Sequence, residues 1–125
     1  MDYGAWELGE YSAGPPVVYH LQLPSGFHLR RLARRAVRKL RRKTEVQFEE
    51  LMRRPLNEET GFTPIRQTLP DDRKYVLAAL EENFRPENLV VTNLQLTFHK
   101  HVKPGFPYDP YDLVKVRFTV QKAQA

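Results

Sequence analysis

Nine cations crowd into fourteen positions. Arg30, Arg31, Arg34, Arg35, Arg38, Lys39, Arg41, Arg42 and Lys43 fall within residues 30–43, with no acid among them. Seven are arginine and two are lysine. Guanidinium groups offer a planar fork of donors that meets a phosphate or a base edge at two points, whereas lysine would serve a merely solvated face equally well. The chemistry indicated is recognition of a polyanion. Such a helix face can track a phosphate backbone or fill the groove of structured RNA, so nucleic acid is the expected partner, with RNA favoured over DNA. Charge runs are more commonly solvated faces, or pair with acids of their own chain, but this density favours an external partner. The same run also has the composition of a nuclear import signal.

A second set of candidate residues lies towards the C-terminus. His99 and His101 alternate along one stretch, and with Lys100, Lys115 and Arg117 they are expected to form a polar surface able to touch phosphate. Two histidines are a weak metal signal even if His20 lay alongside, so no metal site is assigned. The segment KPGFPYDPYD holds Phe106, Tyr108 and Tyr111 among prolines and next to Asp109 and Asp112, an arrangement that presents aromatic rings at low entropic cost. Covering one end of the core is an equally good use of those rings.

No catalytic constellation is visible. The chain has no cysteine, no glycine-rich phosphate loop, no G-x-S-x-G elbow and no H-E-x-x-H pair. A non-catalytic protein without a cofactor or small-molecule substrate is therefore expected. The lack of cysteine leans towards a cytoplasmic or nuclear location, and no apolar run is long enough to span a bilayer. A basic amphipathic helix can lie on anionic lipid, but the apolar face here is alanine-rich and has no aromatic in its basic half, which disfavours a membrane.

The elements that hold these residues are read from periodicity. With 125 residues and 41% apolar content, one domain is expected over residues 15–122, preceded by an acidic, aromatic arm over residues 1–14 and followed by a tail over 123–125. In the arm, Trp6 and Leu8 are candidates for docking on a partner or on the domain itself. VVYHLQL, residues 17–23, alternates as a strand does, and Ser25 is placed to cap a following helix. Residues 28–54 are expected to form one long helix, with Leu29, Ala33, Ala36, Val37, Leu40, Thr44, Phe48 and Leu51 on its apolar side and the arginines opposite. Its like charges repel at Arg30/Arg34, Arg34/Arg38 and Arg38/Arg42, a strain that a polyanionic partner would relieve.

Thr68, Pro70, Asp71 and Asp72 mark the start of a second helix running to about Phe84, with Val76, Leu77, Leu80 and Phe84 inward. Two alternating strands over residues 89–102 and 113–122 then form a hairpin, with Val90, Leu94, Leu96 and Phe98 expected on the apolar face of the first. The sum is an α+β domain of order β-α-α-β-β, an antiparallel sheet of at least three strands with a long basic amphipathic helix packed on one face.

The net charge of +5 belongs to that helix alone, because the eleven basic residues elsewhere are outnumbered by fifteen acids. The function expected is a nucleic-acid-binding protein using the arginine face. The alternative is a protein–protein interaction module (an accessory factor, inhibitor or assembly subunit, including a viral one) whose partner is an acidic protein.

Overall fold

The computed structural model describes residues 20–58 and 61–124. Helix α1 spans Gly26–Lys39, strand β1 Val46–Pro55, helix α2 Pro70–Phe84, strand β2 Leu89–Val102 and strand β3 Tyr111–Lys122, with a 3₁₀ turn at Arg85–Glu87 before β2. The strands form one antiparallel sheet in the order β1-β3-β2. One hydrophobic cluster joins Leu29, Leu32, Ala33, Ala36 and Leu40 of the α1 region, Val76, Leu80 and Phe84 of α2, and the inward side chains of all three strands. Both helices therefore share one face of the sheet, and the α+β class with a three-stranded antiparallel sheet is as expected.

The long helix over residues 28–54 is not formed. α1 stops at Lys39, with Leu40 as its C-cap, and after the turn of residues 41–45 the chain reverses into β1. Leu40, Thr44, Phe48 and Leu51 have helical spacing, but Thr44 is exposed and Leu51 is 51% exposed, so those two do not continue the apolar stripe. The burial instead has period two: Val46, Phe48, Met52 and Arg54 point inward, while Gln47, Glu49, Leu51 and Arg53 point out. Pairing decides between the two periods. Central strand β3 has a second edge to satisfy, and β1 fills it over a continuous register from Val46↔Val120 to Pro55↔Tyr111.

The strand expected over residues 17–23 is seen only in part. Of that segment, residues 17–19 lie outside the described residues, as does the arm over residues 1–14. The described part contributes one bridge, in which Gln22 N donates to Arg53 O at 2.7 Å. The order among the described elements is accordingly α-β-α-β-β.

α1 keeps the start expected of it, since the Ser25 hydroxyl accepts from His28 N at 3.2 Å. α2 has the expected span and burial, but its N-cap is Leu69 rather than Thr68. Thr68 donates instead to Leu96 O, and the Asp72 carboxylate accepts from Leu69 N at 3.1 Å. Asp72 also turns inward to Arg54, 2.7 Å away, with both side chains almost wholly buried.

β2 has the bounds expected but two register shifts, between Thr92 and Gln95 and between Phe98 and Lys100. Asn93, with φ 53°, lies in the first. Each shift inserts a residue and exchanges the faces of the residues beyond it. Val91, opposite Val120, is the buried residue while Val90 is 42% exposed, the reverse of the simple alternation. At the second shift His101 turns to the helix side opposite Asp112, leaving the polar face on which it was expected with His99.

Candidate nucleic-acid interface

Helical geometry alone sorts the residues of α1. At 3.6 residues per turn, Phe27, Arg31, Arg34, Arg35 and Arg38 fall within a sector about 100° wide, opposite the sector of Leu29, Leu32, Ala33 and Ala36. The structure agrees: those four apolar residues are buried and the five outward ones are exposed. The outward five line a shallow groove of about 310 Å³. Arg30 and Lys39 flank the stripe on the helix, and Arg41, Arg42 and Lys43 come next on the turn, all exposed. The nine cations are thus split between a rigid helix and the irregular turn beyond it.

Two contacts tie the helix that presents them to β1, and a third lies within the helix. His28 Nε2 lies 2.9 Å from Glu50 Oε1, tying the first turn of α1 to β1. The guanidinium of Arg35 sits 5.7 Å from the centroid of Phe48, and that of Arg31 sits 5.8 Å from the centroid of Phe27. Among the described residues, none of the nine cations forms an ion pair; the pairs found involve His28, Arg54, Arg85, His101, Lys115 and Arg117. No acid lies in the first turn of α1 to offset Arg30 and Arg31. Positive charge near a helix N-terminus and at i,i+4 spacing is unfavourable, so the stripe presents a field that the described protein leaves unneutralised.

The second set of candidate residues does not assemble into one surface. His99 is exposed within the bulge, Lys100 lies opposite Leu113, and His101 Nδ1 bonds Asp112 Oδ1 at 2.8 Å. Asp112 is fully buried and also accepts from Ile65 N at 2.7 Å, so it anchors a loop as well as a histidine. Tyr111 is the first residue of β3, half-buried, with the Arg53 guanidinium 4.2 Å from its ring centroid. Lys115 and Arg117 share Glu49 on the outer sheet face, at 3.9 and 2.9 Å. Only Phe106, 101% exposed, and Tyr108, 71% exposed, project freely from the β2–β3 connection. His20 is elsewhere, its ring 4.7 Å from that of Tyr75. Among the described residues no group of three or more histidine or acidic side chains is placed to hold a metal ion.

A larger depression, about 590 Å³, lies on the outer sheet face between Gln47, Glu49, Asn93, Gln95, Arg117 and Thr119. Its one cation, Arg117, is already paired with Glu49, so its chemistry is that of amides and hydroxyls rather than of anion binding. The α1 groove is the electropositive site. No family model matches this chain, and comparison with curated proteins and with solved structures yields no significant match. The site must speak through its chemistry.

Sequence reasoning had no place for Phe27. A signal was present, because the aromatic stands four residues before Arg31 and seven before Arg34, the spacing that puts all three on one helical stripe. No helix among the described residues is long and apolar enough to cross a membrane.

Proposed function

We propose that this protein is a non-catalytic RNA-binding protein whose α1 face engages the phosphate backbone. The observation that carries this reading is the outward stripe of Arg31, Arg34, Arg35 and Arg38, on a helix whose opposite side is built into the core and whose cations have no carboxylate partner among the described residues. A helix of fourteen residues is about 21 Å long. It can track a short stretch of backbone from a support already anchored in the core, and each guanidinium can meet a phosphate at two points. Arg41, Arg42 and Lys43 extend the field past its C-terminal end.

The test is binding of the purified full chain to RNA, DNA and heparin over a salt series. RNA binding should weaken steeply between about 50 and 200 mM salt. Arg34→Glu/Arg38→Glu should abolish it while the circular dichroism spectrum and melting temperature stay close to wild type, because both side chains are exposed. Binding that ignores salt, or survives the double charge reversal, would remove the reading.

One observation favours a second reading, a protein-interaction module for an acidic partner. Phe106 and Tyr108 are exposed together at the tip of the β2–β3 connection, where aromatic side chains make strong interface anchors. Purification after nuclease treatment separates the two. Loss of co-purifying ultraviolet absorbance on digestion supports RNA, whereas a protein partner retained through digestion supports the module.

A further inference from the structure

We infer that the α1 groove takes an unpaired nucleotide, its base stacked on Phe27 and its flanking phosphates held by Arg31, Arg34 and Arg38. This rests on the polyanion reading of the same face and narrows it to single-stranded nucleic acid. Phe27 is 61% exposed, and of the large apolar side chains exposed on the described surface it is the one lying within the cationic stripe. A phosphate chain gains nothing from an aromatic ring. A nucleobase gains a flat partner for its π-face, and arginine guanidinium planes stack on bases as well. Phe27 opens the groove at one end, and Arg31, Arg34 and Arg38 continue along it at spacings of four, three and four residues, about 16 Å of helix in all.

The ring also argues against a paired ligand. Duplex bases are stacked on one another with their faces covered, and the major groove of A-form RNA is too deep and narrow for side chains to read. A helix that served only to lie along duplex phosphates would leave the part of Phe27 not covered by the Arg31 guanidinium, 5.8 Å from its centroid, against water or backbone. Single-stranded RNA and single-stranded DNA share the chemistry required, an accessible base between phosphates, and differ in the 2′-hydroxyl.

The experiment measures fluorescence anisotropy of labelled oligouridine, oligodeoxythymidine and a blunt RNA duplex of equal phosphate number with the full chain. Wild type should bind both single strands more tightly than the duplex, and the tighter of the two identifies the sugar preferred. Phe27→Ala should weaken single-strand binding about 5- to 150-fold, the loss expected of one stacked base, while leaving the salt slope and duplex binding unchanged. Phe27→Trp, made with Trp6→Phe so that the new indole is the only one, should retain affinity and lose emission when the single strand is added. Salt-dependent binding by wild type that Phe27→Ala leaves intact, or equal affinity for duplex and single strand, would overturn the inference and leave the polyanion reading standing. Absence of salt-dependent binding to any oligonucleotide would remove both.

Discussion

Arg54 and Asp72 show how much one buried contact can carry. Their side chains are about 2% and 1% exposed, and the 2.7 Å pair links the end of β1 to the first turn of α2. Asp72 also accepts from the amide of Leu69, so one carboxylate ends the loop, caps the helix and neutralises a strand cation. Burying two charges is costly, and such a pair adds little net stability relative to an apolar one. Breaking it is different, because the survivor is left charged and dry. Arg54→Ala should destabilise the fold by about 3–5 kcal/mol in urea denaturation, and Arg54→Met/Asp72→Leu should recover part of that loss, the remainder being the cap that Asp72 gives Leu69 N. None of this was legible in the sequence. Arg54 stands beside Arg53, and only the strand alternation sends one inward and the other out over Tyr111.

At the scale of elements, α1 persists despite its charge because its inner side and its cap compensate. Leu29, Leu32, Ala33 and Ala36 are buried, and Ser25 satisfies an amide that would otherwise lack a partner. Ser25→Ala should therefore lower stability by about 1 kcal/mol, read from the denaturation midpoint at unchanged slope. The bulges of β2 are as much a part of the design. Asn93 adopts φ 53°, a left-handed conformation that asparagine tolerates and β-branched residues do not. Asn93→Val should cost about 1–3 kcal/mol and Asn93→Gly should be nearly neutral, a contrast measurable by thermal melting. The alternating pattern revealed that residues 89–102 form a strand. It could not reveal the inserted residues, because a bulge changes which face a side chain takes without changing the composition of the run.

For the molecule as a whole, charge separation is the governing property. The helices cover one sheet face, α1 turns its cations outward without a carboxylate partner among the described residues, and on the opposite sheet face Lys115 and Arg117 share Glu49. A polyanion should consequently be bound from the α1 side, and the salt dependence should count the phosphates engaged there. Replacing Arg34 and Arg38 together by alanine should reduce the slope of log K against log salt by about 1.4 for a single-stranded ligand, since each lost phosphate contact removes about 0.7. An unchanged slope would place the contacts elsewhere. The sequence by itself determined the α+β class, α2, the β2–β3 hairpin and the cationic, capped start of α1, because each is written in local periodicity and in residues that act on their immediate neighbours. Tertiary structure alone decided that residues 46–55 are a strand, that His101 faces Asp112, and that Arg54 is buried. The strand at residues 46–55, and with it the burial of Arg54, answers the unpaired edge of β3, whereas His101 is turned by the residue inserted between Phe98 and Lys100. The alternation of Val46 and Phe48 with Gln47 and Glu49 is short and overlaps a helical spacing, so long-range pairing had to choose between them.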